Sequence, residues 1–459
     1  NIGIGCRVTY NTTSIAYISA YTNSTTFSLV TATGGTPGDE GSAVTVNSIA
    51  HEYASLSAFE AGFTDANHIN NVDLTATGAN VIVHACCYYD HDDFTLDTIS
   101  ATLNWAGTTD TTHYLKVYTP TGGTESVNNQ RHSGTWNTNK YMMSVSGFTI
   151  NVQEHDVYVE GIQAECTSSS TSARFCFRSN PGSGAVGTIH YSHNILRFTN
   201  VTTGQRTGIE ILSSGTAGSK IYIYNNIIYD MTNGNVASAG ILHSTDTDVI
   251  VYAYNNTIHN SYYGVDATKT LVLKNNAIQS CTDNYNGIGI NATSTHNITD
   301  LSATDGAFGV TWSTGTITST SASKLIDSGA TFVTDGVQVG SIIKDTTDTT
   351  YSYVTAVDSE TQLSLNDDIF TGTEGYSVYT NIYGAVTFVD EAGDDFHLGS
   401  GDTVAKDKGT DLSADAGLAF SDDIDGDTRS GTWDIGADEI VVVAAGLKAG
   451  TLALTGVGI

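Results

Sequence analysis

The side chains of this sequence that could do chemistry are scattered acids and clustered aromatics. Asp230, Asp246, Asp248 and Asp266 fall in loops between strand-like segments. A pair of them held about 5–10 Å apart would suit glycoside hydrolysis; unpaired, they are solvated loop acids. A polysaccharide lyase would need several carboxylates around Ca²⁺ and a Lys or Arg base on the same face, whereas Lys274 and Arg197 fall on different columns. Asp423, Asp425 and Asp427 surround Gly426 and resemble part of a calcium loop without the EF-hand spacing. The competing reading is an Asp-rich turn in which Arg429 pairs with Asp434 or Glu439. His51, His84, His91, His113, His132 and His155 show no metal-ligand spacing. Nor do Cys6, Cys86, Cys87, Cys166, Cys176 and Cys281, which read as buried thiols, with a Cys166–Cys176 bridge as the alternative. No catalytic residue is assigned.

The aromatics belong to a repeat. Ile189-His-Tyr-Ser-His-Asn194, Ile221-Tyr-Ile-Tyr-Asn-Asn226, Val251-Tyr-Ala-Tyr-Asn-Asn256 and Leu271-Val-Leu-Lys-Asn-Asn276 share one pattern, with a weaker copy ending at Asn297. The anchor Asn recurs at intervals of 32, 30, 20 and 21 residues, as expected for single coils of a parallel β-helix. The fifth and third positions before each Asn, and the second after it, are mainly aliphatic and should stack inside. The anchor Asn, tolerant of left-handed backbone, is expected at a corner, so that Asn194, Asn226, Asn256, Asn276 and Asn297 form a ladder about 4.8 Å per step. Three columns then face outward: Tyr158, His190, Tyr222, Tyr252 and Val272; Ser192, Tyr224, Tyr254 and Lys274; Arg197, Tyr229, His259 and Gln279. Such rings either shield the sheet or offer a platform to sugars or a partner subunit.

The elements around the repeat follow from composition. Gly is abundant at 47 and Pro scarce at 3, which suits many short strands. With 48 acidic against 17 basic residues, a formal charge of −31, the surface repels a phosphate backbone and argues against nucleic-acid binding. Residues 53–62 read as a short amphipathic helix capped by Ser55 or Ser57, placed to plug the open end of the stack. Residues 5–29 and 340–365 are copies of one strand-turn-strand module, the first without the lead-in at 325–339 and so expected to be cut off at its N-terminus. Residues 440–459 are interrupted by Lys448 and four glycines, and are read as strand-like rather than as a membrane span.

The segment Asp423-Ile-Asp-Gly-Asp-Thr-Arg429 followed by Trp433-Asp-Ile-Gly-Ala-Asp-Glu439 resembles the closing segment of a family of bacterial and phage-associated right-handed β-helix proteins. The resemblance covers about residues 53–439, interrupted at 325–380, and the tail 449–456 is similar to Gly-Thr-Leu repeats that follow such domains. Together with the repeats, it gives the expectation of an all-β chain: a small β module at 1–50, a parallel β-helix with an N-terminal cap helix at 51–322, an inserted module at 323–380, final coils at 381–440 and a tail at 441–459. The family includes adhesins, virion fibres and polysaccharide-active enzymes. The expected function is a non-catalytic structural or adhesive protein of a virion or cell surface, extracellular and oligomeric. Its partners would be like subunits, other surface proteins or glycan, with no cofactor beyond a structural calcium. A lyase or glycoside hydrolase on the same scaffold is the alternative.

Overall fold

The computed structural model describes residues 2–23, 25–89, 96–182, 186–199, 204–212, 216–232, 238–244, 249–287 and 289–441. Asp246, Asp248, His91 and the tail beyond 441 lie outside them. The described chain is all-β, with short helices at Leu56–Gly62 and Phe332–Asp335.

Three long sheets built by parallel pairing dominate. The first runs through seven strands from Val83–Cys86 to Leu271–Lys274, and the third through seven from Ala101–Leu103 to Asp283–Asn286. The second runs from Met142–Val145 through Ala277–Gln279 and Ile298–Thr299 to Gly375–Tyr383. From Val157 to Asn286 the chain visits first, second and third sheet in the same rotation, five rounds in succession. Registers are in step: Val157, Ile189, Ile221, Val251 and Leu271 are successive partners in the first sheet. Ala164, Leu196, Ile228, Ile258 and Ile278 are successive partners in the second. All of these side chains are buried in one continuous core. Period-2 alternation within each strand, repeated in register, is what sends them to one side.

The third sheet carries a glycine column that sequence reading overlooked. Gly208, Gly240 and Gly264 face Ile228, Ile258 and Ile278 of the second sheet. An added Cβ would sit 2.5, 2.5 and 2.2 Å from those isoleucine methyls. The glycines are therefore set by close approach of the two sheets.

Each anchor asparagine joins the next through its side chain. Asn194 Nδ2 donates to Asn226 Oδ1 at 2.9 Å, Asn226 to Asn256 at 3.0 Å, Asn256 to Asn276 at 3.0 Å and Asn276 to Asn297 at 2.9 Å. The same oxygens accept the backbone N–H of the preceding anchor, at 3.0–3.1 Å. The left-handed backbone falls one residue earlier than expected, on His193, Asn225, Asn255, Asn275 and His296, with φ of 49–56°. One residue turns the chain and the next makes the ladder.

At the first end, helix Leu56–Gly62 places Leu56 and Phe63 in the core beside Trp105, with Ser55 Oγ accepting from Ala58 N at 3.0 Å. Ahead of it, Arg7–Tyr10, Ser14–Asn23, Thr26–Val30 and Val46–Ala50 form an antiparallel sheet. A second antiparallel unit leaves the stack after Ile298–Thr299. It already includes Thr311–Thr316, ahead of the expected start at 323, and closes on Gly375–Tyr383. The asparagine ladder continues across this excursion, since Asn297 N and Nδ2 donate to Asn381 Oδ1 at 2.9 and 3.2 Å. All six cysteines are free thiols, so Cys166 and Cys176 are not bridged.

Candidate functional site

The first outward column is a continuous ring stack. Tyr114, Tyr158, His190, Tyr222 and Tyr252 follow one another at centroid separations of 4.6, 4.1, 4.5 and 5.4 Å. Tyr158–His190 and Tyr222–Tyr252 are near-parallel, at 12° and 22°. Burial pushes His190 down to about 3, so its ring is neutral at ordinary pH. Because neighbouring rings occupy each other's faces, the stack turns mainly edges to solvent. A sugar ring stacks on an aromatic face, so this geometry suits sheet shielding better than a glycan platform.

The other two columns are not open surface. Tyr254 is 0% and Tyr229 1% exposed. The expectation that a partner or glycan covers them is corrected by the chain itself: residues 384–440 fold back over both sheets. Leu412, Leu418 and Trp433 pack with Tyr222, Tyr254 and Val272, and Phe420 lies 5.1 Å from Tyr224. Gly417 is pressed against Tyr252 and Tyr254, where a Cβ would meet ring atoms at 2.5 Å. Over the second sheet, Phe396 lies 5.1 Å from Tyr229 and 5.0 Å from His259, and Glu391 bonds His259 Nε2 at 2.8 Å. Arg197 pairs with Glu165 at 2.8 Å, lies over Trp136 and reaches Asp394 at 3.9 Å. Of the nine-residue surface expected from the sequence, Tyr222, Tyr229 and Tyr254 are buried; Arg197, Tyr224, Tyr252 and His259 are half-buried with residues 384–440 against them, and Tyr158 and His190 are half-buried within the ring stack.

The first asparagine of each Asn-Asn pair holds this cover. Asn225 Nδ2 donates to Asp422 O at 2.8 Å, Asn255 Nδ2 to Asp434 O and Gly436 O at 3.1 and 3.0 Å, and Asn275 Nδ2 to Thr410 O at 2.8 Å. Behind them the Arg429 side chain is wholly buried. It pairs with Glu439 at 3.2 Å and donates to the carbonyls of Asp422, Gly436 and Ala437. Asp434 contributes only its carbonyl to Arg429.

The acids of this closing segment are largely committed to turns and ion pairs. Asp423 Oδ1 accepts from Asp425 N and Asp427 N at 3.0 and 2.8 Å, and its Oδ2 from Glu439 N at 3.1 Å. Burial raises Asp423 to about 6. Asp423, Asp425 and Asp427 therefore make an Asx turn and do not converge on one point. Asp425 instead bonds His397 Nε2 at 3.0 Å, while Asp395 bonds Nδ1 at 2.5 Å. Asp425 foremost, then the nearby Asp438 carboxylate and Asp395, raise His397 to about 10 against the opposing effect of burial and keep it an imidazolium. Of the loop acids, Asp230 accepts from Asn260 at 2.6 Å and Asp266 from Asn286 at 2.9 Å; they do not form a described pair. Asp305 is raised by burial, and the nearby Asp283 carboxylate adds to this, though Asp305 also accepts from Thr299 at 2.5 Å.

A cavity of about 760 Å³, not anticipated from the sequence, lies between the N-terminal sheet and the start of the stack, lined among others by Tyr17, Tyr53, Phe59, His68 and Cys86. Glu52, His68 and Tyr53 cluster there, with Glu52 Oε1 3.4 Å from His68 Nε2. Tyr53 Oη lies 3.2 Å from Nδ1 and 3.1 Å from Nε2 of His68, so it faces the carbon edge between them and not one lone pair. Burial and Glu52 raise Tyr53 further, so it stays a neutral phenol. Among the described residues no helix is long and apolar enough to cross a membrane. Neither a family model, nor a curated protein, nor a solved structure matches this chain.

Proposed function

We propose that this chain is a right-handed parallel β-helix that serves as a non-catalytic structural element of a virion or cell-surface appendage. The fivefold rotation through three in-register sheets and the asparagine ladder support the solenoid reading. The observation that carries the functional reading is the closure of the lateral faces. Outward charges on the sheets pair across strands, as Lys116 does with Glu160, Arg197 with Glu165 and Arg178 with Glu210, and Arg131 reaches Glu160 from a loop. The aromatic columns stack on themselves or lie under residues 384–440. General acid–base work needs a carboxylate and a partner converging on an open groove, and these side chains are already committed to one another. The acidic, Thr-, Ser- and Asn-rich surface fits an extracellular setting. Labelling intact particles or cells with an antibody to the chain tests the placement: surface decoration is expected, and signal confined to the cell interior would contradict it.

A further inference from the structure

We propose that the inserted module binds a calcium ion through Asp345, Asp348 and Glu374. Asp345 ends strand Ser341–Asp345, Asp348 lies in the turn that follows, and Glu374 immediately precedes strand Gly375–Tyr383, which pairs with Ser341–Asp345. Each of the three brings a carboxylate oxygen within 4.8 Å of the others. None is joined to a Lys, Arg or His among the described residues.

The cluster alone would be unremarkable on a chain this acidic. The independent observation is Asp345. Its residue is 0% exposed, its Oδ1 accepts from Thr347 N and Asp348 N at 2.7 and 3.2 Å, and its Oδ2 is buried with no hydrogen-bond partner at all. A buried carboxylate oxygen left bare is costly, and a cation beside it removes that cost. Glu374, 7% exposed, is held towards the same point by Thr371 N and Oγ1 at 2.8 and 3.0 Å.

The donor set selects the ion. Three carboxylates are hard oxygen ligands without nitrogen or sulfur, and exposed Asp348 leaves room for water. Calcium accepts such a mixed and irregular shell, whereas magnesium demands near-octahedral geometry. The other copy of the module shows that its fold does not require these acids. Arg7 faces Tyr17 as Ile342 faces Tyr353, so Tyr10 stands where the second copy has Asp345. The ion would clamp the two strands at the tip of the module, at the opposite end of Gly375–Tyr383 from Ile382, which pairs with Ile298 in the second sheet.

The test is calorimetric titration of the EDTA-treated full chain with CaCl₂, repeated with MgCl₂. Saturable binding of one calcium, tighter than magnesium, is expected. Asp348→Ala, at an exposed position, and Glu374→Gln should each weaken it by roughly tenfold or more. Asp425→Asn, in the separate His397 cluster, should leave it unchanged. Thermal midpoints in EDTA serve as the folding control and should match the parent for Asp348→Ala. Absence of saturable calcium binding in the parent chain would overturn the proposal. So would undiminished binding in both variants, since the ion would then be held elsewhere on the acidic surface.

Discussion

The parallel stack and the inserted antiparallel unit are stabilised in different ways, although they share the strand Gly375–Tyr383. In the stack each strand contributes only a few inward side chains, and the contacts that matter run between successive rounds: an asparagine to the next asparagine, an isoleucine against a glycine. The inserted unit has its own closed core of Ile317, Leu325, Phe332, Val354, Leu363, Tyr376 and others. Its N-terminal counterpart sharpens the contrast. The strand order is the same, and the bulges between Ile18 and Ala20 and between Tyr21 and Asn23 match those at Val354/Ala356 and Val357/Ser359. Yet its buried apolar cluster is small, with Cys6, Val8 and Ile18 fully buried and Tyr10, Phe27, Leu29 and Ile49 only partly so. The second copy has Lys324–Ile326 and helix Phe332–Asp335 to complete it. Register is thus a local property of the module's sequence, while its core depends on the lead-in.

The largest effect on the stack is expected at the ladder. Asn256 accepts from Asn226 and donates to Ile223 O and Asn276 Oδ1, fully buried. Asn256→Ala strands these groups and should cost at least about 3 kcal/mol. Asn256→Asp should cost more, because it sets a carboxylate against two acceptors; denaturant unfolding compares the two, and Asp better tolerated than Ala would break the ladder account. Gly240→Val comes next: its Cβ would meet Ile258 Cγ2 at 2.5 Å and Gly264 O at 2.7 Å, for a loss of about 1–3 kcal/mol or more.

The unit should respond separately. Phe332→Ala should cost the unit about 3–5 kcal/mol and leave hydrogen-exchange protection in the stack unchanged. Replacing residues 312–378 by a short Gly/Ser linker should leave the stack folded, with its thermal midpoint shifted by a few degrees at most, because the ladder passes directly from Asn297 to Asn381. Global unfolding of that deletion would merge the two regions into one cooperative body.

The smallest effect concerns pH. His397 is raised above its ordinary value of 6.5 to about 10, so its two ion pairs stabilise fully below about 6.5 and are lost as pH rises through about 10. Thermal midpoints should therefore decline between pH 7 and 10, and His397→Gln should flatten that decline.

Much of the stack was legible because its signal is local and repeated. Ile189, Ile221, Val251 and Leu271 stand at a fixed distance before an asparagine, and period-2 alternation assigns their side. The role of the first asparagine in each pair was not legible. Asn255 meets Asp434 and Gly436 some 180 positions later, and nothing in the dipeptide names that partner. The same distance hid the cover over Tyr229 and Tyr254: their columns point outward from the sheets, but pointing outward is not the same as being exposed. Gly208, Gly240 and Gly264 escaped notice because the third sheet lies outside the asparagine repeat and has no anchor residue of its own. Asp345 and Glu374 fall at opposite ends of a hairpin and a loop, so only the folded unit brings them together.

The proposal that this scaffold holds and does not cut is open to direct test. The most direct measurement is incubation of the purified chain, with calcium present, with a panel of acidic and neutral polysaccharides, reading new reducing ends and unsaturated uronates. No turnover above buffer is expected. Turnover that disappears in Asp283→Asn or Asp305→Asn, with folding intact, would contradict the claim and make the carboxyls at the end of the third sheet an active site.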